Sequence, residues 1–211
     1  MKVLVLCGDS AHPTSLTVEG LAPLSQAGYD FNFIEDPSKW SKELMNNYSF
    51  VIFSKANNRL PDDSSAWAGE PEGKIFLDYV KNGNSILFLH SGTALYDDSP
   101  SLCQLMGGVF ITHPPQCSVS IEPYPDQDLT QGFLSFSAKD EHYQMKMTDP
   151  DVQLFLKAVS EHGTQPAGWI RGEGKGKVCV LTPGHNLEIW HNKYYQSLLK
   201  NCCSWCVSTK N

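Results

Sequence analysis

Four histidines, His12, His90, His113 and His185, each follow a run of apolar residues. His90 is the clearest case, because Ile86–Leu89 stop abruptly at His90-Ser91-Gly92, a pattern that predicts a buried strand turning into a loop. In open α/β sheets, ligand sites lie outside the carboxyl ends of the strands. If these runs are neighbouring parallel strands, their imidazoles would meet in one cleft. There they could act as acids, bases or metal ligands.

Carboxylates lie close in sequence to two of these positions. Glu188 follows His185 and could orient it, as general bases are commonly oriented, although a turn histidine beside a solvated glutamate is an equally good interpretation. Asp140-Glu141 precede His142-Tyr143. A carboxylate pair can divide into acid and base or bind a metal, but such a pair in a loop is usually solvated.

The remaining histidines carry weaker signals. His12 and His113 each precede a proline, which disfavours the helical region and holds the histidine extended at the start of a loop. Their direction is thereby restricted, but no use follows from it. We expect His142, His162 and His191, in polar or helix-edge contexts, to be surface residues.

Composition narrows the class of protein. The chain has 211 residues, of which 41% are hydrophobic and 18% charged, as in an ordinary soluble globular protein, and we expect one domain over residues 1–211. A formal charge of −7 argues against nucleic acid or an anionic membrane as the main partner. Seven cysteines without a disulfide-framework spacing indicate reduced thiols, so we expect a cytoplasmic protein.

Strand and helix patterns alternate along the chain, which is typical of an α/β fold. Predicted strands cover 2–7, 29–34, 50–53, 85–89, 117–122, 143–148, 166–171 and 177–181, with a hairpin turn at 172–176. Predicted helices cover 15–27, 38–46, the region around 75–80, 100–106 and 193–207. The long polar loop 56–71 is expected to form a lid over the strand ends.

Taken together, these elements resemble the ThuA-like (trehalose utilisation) family within the class I glutamine amidotransferase-like superfamily. The resemblance covers nearly the whole chain, and it depends on the order and spacing of short motifs. The matching pieces are Val3–Gly8 through His12-Pro13, Leu89–Gly92, Gly107–Phe110 with His113-Pro114, Thr130–Phe133, Asp140–Tyr143, Pro166–Trp169, Gly174–Val178 and Gly184-His185.

The resemblance implies a flavodoxin-like three-layer α/β/α fold with a mostly parallel sheet. It also implies a loss of chemistry, because amidotransferases carry a cysteine nucleophile at the strand-to-helix elbow where this chain has His90. His185 matches their later histidine, but Glu188 comes one residue late. The absent thiolate argues against glutamine hydrolysis through a thioester.

The leading hypothesis is a protein that acts on a small, polar, sugar-derived ligand, a substrate class implied by the resemblance alone. His90, His185 and Glu141 are the predicted catalytic residues, working as acid and base or as ligands of a divalent metal. The predicted binding residues are His12, Ser91, His113, Asp140 and Tyr143.

Two alternatives stay open, and the oligomeric state is undecided, a homo-oligomer included. The first is a non-catalytic binding or sensory module. The second is a hydrolase that uses Ser91 as nucleophile and His185 as base, a role that Ser91 fits poorly because it lies one position past the elbow. Trp169 and Trp190 could stack on a sugar, although a core position is the better expectation for at least one.

Overall fold

Strands alternate with helices through the first half of the chain, and antiparallel strands follow. The computed structural model describes residues 1–208. Within that range the strands are β1 (Lys2–Cys7), β2 (Asp30–Ile34), β3 (Phe50–Ser54), β4 (Ser85–Leu89), β5 (Gly108–Thr112), β6 (Cys117–Pro123), β7 (Phe136–Asp140), β8 (Gln144–Met147), β9 (Gln153–Ser160), β10 (Gly163–Glu173) and β11 (Gly176–Leu181). The α-helices are α1 (Thr14–Ser25), α2 (Lys42–Met45), α3 (Glu70–Lys81), α4 (Pro100–Met106), α5 (Leu187–His191) and α6 (Lys193–Val207).

Nine of the strands described between residues 1 and 208 form one mixed sheet in the order β2-β1-β3-β4-β11-β10-β9-β6-β7. The first five are mutually parallel, and each of the last four is antiparallel to its neighbours. Strands β5 and β8 pair separately as an antiparallel ribbon. The α/β prediction is confirmed, but the sheet is mixed, and parallel pairing is confined to the half that contains β1, β4 and β11.

Apolar residues of the parallel strands divide between two clusters. Val3, Val5 and Cys7 belong to a cluster with residues of α1, α5 and α6, whereas Leu4 and Leu6 belong to one with residues of α2, α3 and α4. Successive strand residues point to opposite faces of a sheet. Helices therefore cover both faces, which is why these strands read as continuous apolar runs.

The antiparallel end of the sheet curls back toward the parallel strands. Strand β7 lies four places from β11, which would separate them by about 19 Å in a flat sheet. Yet the Asp140 carboxylate at the end of β7 accepts hydrogen bonds from Gly184 and His185, just after β11. Register shifts around Gly168 in β10 mark bulges, which bend a strand and increase its twist.

Prediction of the elements succeeded where the apolar pattern is strong. The bounds predicted for β1, β4, α4 and α6 match the structure. Strands β7 and β9 were missed, because the first is short and ends in Lys139-Asp140, and the second was not distinguished from the polar segments around it. The segment 143–148 was predicted as a strand, and β8 pairs with β5 outside the main sheet.

Hydrogen bonds from the Asn57 side chain link the two ends of the long loop that follows β3. The Asn57 side-chain oxygen accepts hydrogen bonds from the backbone of Trp67 and Ala68, and its amide donates to the Ala68 carbonyl. Its own backbone N–H donates to the carbonyl of Ala94. The loop is thus fixed at its base, and its role as a lid stays a prediction.

Among residues 1–208, no helix combines the length and the apolar character needed to cross a bilayer.

Gly92 sits where the turn after β4 crosses the end of β3. A Cβ added there would lie 1.9 Å from the carbonyl oxygen of Phe53, a backbone atom that the strand β3 holds in place. We expect Gly92→Ala to destabilise the protein by about 3 kcal/mol, the upper end for overpacking, measured by urea unfolding. Gly69→Ala is the matched control, because its nearest new contacts are 3.7 Å. Equal stability of the two variants would contradict this account.

Candidate functional site

Four chain segments that are distant in sequence meet at one edge of the sheet. His12, His90 and His185 follow the parallel strands β1, β4 and β11, so all three lie at the carboxyl edge. Glu141 follows β7, which runs in the same direction as β11 because four antiparallel pairings separate them. We call these four side chains, His12, His90, Glu141 and His185, the histidine–glutamate cluster.

The polar atoms of the cluster are close enough to share one ion. The Nε2 atoms of His12 and His90 are 3.0 Å apart, and His12 Nε2 is also 3.0 Å from His185 Nδ1. The Glu141 carboxylate lies 3.5 Å from His90 Nε2 and 3.2 Å from His185 Nδ1. One ligand atom from each of the four residues falls within 4.8 Å of all the others.

Asp9 determines which nitrogen of His12 faces the cluster. Its carboxylate lies 2.8 Å from His12 Nδ1 and also accepts the backbone N–H groups of Ala11, His12 and Ala56. Burial by itself would raise the pKa of Asp9, but the hydrogen bond and charge of His12, together with these N–H groups, hold the pKa below its usual value. A carboxylate only accepts, so Nδ1 is the donor and Nε2 of the neutral ring carries a lone pair.

The same reasoning identifies which ring nitrogen of His90 is the donor. Its Nδ1 lies 2.7 Å from the carbonyl oxygen of Thr182, which can only accept, so Nε2 again carries the lone pair of a neutral ring. His90 has a φ of 43°, a left-handed conformation that is uncommon for residues other than glycine. This strained corner matches the predicted strand-to-turn elbow, and strain of this kind concentrates at functional sites.

When both rings are neutral, His12 and His90 present two lone pairs to each other across 3.0 Å. Neither neutral ring can donate to the other, because both Nδ1 protons are already committed. The Asp9 carboxylate favours a protonated His12, but burial outweighs it and lowers the pKa of His12, so the ring resists taking up a second proton. A cation placed between the two nitrogens would be bound by both.

Asp140 and Glu141 hold the other side of the cluster. The buried Asp140 carboxylate accepts the backbone N–H groups of Gly184 and His185, each at 2.9 Å, and so positions the loop that presents His185. The hydrogen bond and charge of Glu141 raise the pKa of His185 against the effect of burial. Burial would raise the pKa of Glu141, but the two histidines hold it below its usual value.

Aromatic rings form one wall beside the cluster. The Tyr143 ring stacks on His90 with a centroid distance of 4.2 Å and contacts Phe110 at 4.4 Å. His113, which is exposed, follows β5 in the small ribbon and reaches the Glu141 carboxylate at 3.5 Å. The structure thus brings seven of the predicted site residues together; their catalytic and binding roles stay predictions.

The structure does not support two of the roles considered from the sequence, those of Glu188 and Ser91. Glu188 is exposed, and the carboxylate beside His185 is that of Glu141. Ser91 is buried, and the described contacts of the His185 ring go to His12 and Glu141 rather than to Ser91.

Three residues that were considered as surface or sugar-stacking residues are buried. The prediction that His142 is a surface residue is wrong, because its side chain is fully buried against Ser160. Trp169 and Trp190 are both core residues, so neither presents a face to a sugar.

Sequence reasoning missed Asp9, Thr182 and Phe110. Asp9 had a usable signal, since an acidic residue two positions after a buried strand lies three residues before a histidine. Thr182 acts through its backbone carbonyl, which no residue type reveals. Phe110 belongs to a run that was interpreted only as a strand leading to His113.

Three imidazoles and one carboxylate form a donor set suited to a divalent transition metal. Metal-bound histidines usually donate their other ring nitrogen to a carboxylate or a backbone carbonyl. Asp9 and Thr182 provide both kinds of partner, for His12 and His90 respectively. The residues present therefore fit such an ion.

Comparison with known proteins gives the family and the fold. The family model described as ThuA, trehalose utilisation, matches residues 2–206. No curated protein sequence matches the chain. A ThuA-like protein of Bacteroides uniformis superimposes with a TM-score of 0.75 at 21% identity, covering 100% of this chain and 93% of that one.

Two further solved structures share the fold. A cytoplasmic protein of Salmonella typhimurium has a TM-score of 0.71 at 12% identity and covers 98% of this chain and 99% of its own. A β-galactosidase of Rahnella sp. R3 has a TM-score of 0.65 at 10% identity; the match covers 96% of this chain but only 31% of the enzyme.

The position of His185 depends on Asp140. We expect Asp140→Ala to lower the free energy of unfolding by about 2 kcal/mol, because two buried N–H groups lose a charged acceptor. Chemical denaturation checks this. Asp151→Ala, at an exposed position, is the matched control and should change stability by less than about 0.5 kcal/mol. Similar losses in both variants would show that Asp140 does not hold the loop.

Proposed function

The chain belongs to the ThuA (trehalose utilisation) family, and from that premise we propose that it binds a small, polar, sugar-derived ligand at a divalent metal held by the histidine–glutamate cluster. The proposal has two parts, the metal and the ligand. The geometry supports the first, and the family description supports the second.

One observation carries the metal. The Nε2 atoms of His12 and His90 face each other at 3.0 Å, and two neutral rings whose Nδ1 protons point to Asp9 and to the Thr182 carbonyl have no proton to share there. An uncompensated contact of this kind in a buried site is costly. A cation removes the conflict, and His185 and Glu141 complete a set of four ligands around it.

Each residue then has a defined task. His12, His90, His185 and Glu141 hold the ion, while Asp9 and Thr182 orient the first two rings. Asp140 positions the loop of His185. When bound, a divalent ion supplies a Lewis acid that polarises a ligand oxygen. His113 and Tyr143 lie beside this point, and so they are the side chains that a ligand would meet first.

Further features of the family stay part of the proposal. A flavodoxin-like three-layer arrangement is supported by the helices on both faces of the parallel strands. A cytoplasmic location is supported by seven free cysteines and by the similar Salmonella protein. Turnover of a ketosugar panel, and its loss in His90→Ala and His185→Ala, distinguishes an enzyme from a non-catalytic binding module.

We expect the purified protein to bind about one Zn²⁺ or Co²⁺ per chain, because four donors converge on one point. Elemental analysis after gel filtration measures the stoichiometry, and the visible spectrum of the Co²⁺ form reports its coordination. His90→Ala and His185→Ala should each lose the ion. His162→Ala is the matched control, since that histidine is exposed and away from the cluster. A metal-free wild type would refute the metal centre.

Asp9 should set the strength of binding without touching the ion. We expect Asp9→Asn to weaken Zn²⁺ binding by roughly 10- to 100-fold, the usual cost of removing the partner of a ligating histidine. Competition with a chromophoric chelator measures this affinity. Asp36→Asn is the control, because that carboxylate accepts the Ser38 N–H in a separate turn and does not contact His12. Unchanged affinity in Asp9→Asn would show that His12 needs no orienting partner.

A further inference from the structure

We infer that the Tyr143 hydroxyl donates a hydrogen bond to an uncharged oxygen of the ligand bound at the histidine–glutamate cluster. The inference rests on the proposed metal centre and extends it, since it specifies the class of ligand. The expected ligand is a neutral molecule with hydroxyl or carbonyl oxygens, such as an unphosphorylated sugar.

The Tyr143 ring is held rigidly against the cluster. It stacks on His90 with a centroid distance of 4.2 Å and an interplanar angle of 27°, and the Phe110 ring lies 4.4 Å from it, centroid to centroid. The side chain is only 4% exposed. Two residues earlier in the chain is Glu141, whose carbonyl accepts the Tyr143 backbone N–H. The hydroxyl therefore has little freedom to search for a partner.

The hydroxyl nevertheless has no hydrogen-bond partner among residues 1–208. Two other buried tyrosines show the usual arrangement: Tyr96 donates to the Lys55 carbonyl at 2.6 Å and Tyr195 to the Pro183 carbonyl at 2.7 Å. Tyr79 also lacks a partner, but its hydroxyl is completely enclosed, and the Tyr143 hydroxyl is not. The Tyr143 hydroxyl is accessible and has no partner in the protein, so it is suited to form a hydrogen bond with a ligand that binds at the cluster.

The charges around the site indicate which class of ligand it binds. A tyrosine hydroxyl keeps its proton at neutral pH and can donate, and the carboxylates of Glu141, Asp9 and Asp140 lie around the site. Those three carboxylates, with the buried Lys55 ammonium beside Asp9, offset the two charges of a divalent cation. The filled site would be close to neutral, which favours an uncharged oxygen over a phosphate or carboxylate.

The test uses the Co²⁺-loaded protein and 1,3-dihydroxyacetone, a neutral hydroxy-carbonyl probe. Paramagnetic broadening of the probe's proton signals gives its dissociation constant. We expect Tyr143→Phe to bind the probe about 10-fold more weakly, the effect of one lost hydrogen bond, and to bind Co²⁺ as the wild type does. Its thermal midpoint should not fall, because no internal hydrogen bond is removed. Inorganic phosphate should bind more weakly than dihydroxyacetone.

Tyr195→Phe is the matched control, since it removes a hydroxyl that has an internal partner. It should lower the thermal midpoint and leave probe binding unchanged. Equal probe binding by wild type and Tyr143→Phe would overturn the inference, as would wild-type protein that binds Co²⁺ but not the probe. A wild type that binds no Co²⁺ refutes the proposed metal centre instead, so the two failures are distinguishable.

Discussion

The site depends on one constraint, the orientation of two imidazole rings by acceptors that cannot donate. Asp9 and the Thr182 carbonyl each accept a hydrogen bond from an Nδ1–H group, and this leaves the Nε2 atoms of His12 and His90 opposed at 3.0 Å. Other residues at the carboxyl edge of the sheet hold these histidines and His185 in position. Gly92 lets the turn of His90 pass over β3, and Asp140 fixes the loop that delivers His185.

Such a site has an energetic cost that the rest of the fold must offset. A non-glycine residue with positive φ costs on the order of 1–3 kcal/mol, and His90 is one. Asp9, Asp140 and His90 are also buried polar or charged groups. The two apolar clusters on opposite faces of the sheet supply the stabilisation, and their strands are the same ones that end at the histidines. Stability and site geometry thus share strands β1, β4 and β11.

Much of the parallel half could be predicted from the sequence, because β1, β3, β4 and β11 each contain an apolar run that polar residues follow. His12, His90 and His185 were identified on that basis. Glu141 was harder to connect with them, since its strand β7 is short and lies four places away from β11. Glu141 was predicted as the carboxylate partner from the family resemblance, while nearness along the chain left Glu188 open as a second candidate; the curl of the sheet brings Glu141 to His185. Local patterns carry no information on such long-range curvature, nor on backbone acceptors such as Thr182.

Because the sheet curls, the cluster also connects the parallel half of the sheet to its antiparallel half. Glu141 comes from the outermost antiparallel strand and the three histidines from parallel strands, so an ion bound by all four would cross-link residues from position 12 to position 185. A ligand that binds only the folded state adds to its stability in proportion to the logarithm of its concentration. Metal supply would then shift the equilibrium between the docked and undocked edge strand, and with it the free energy of unfolding.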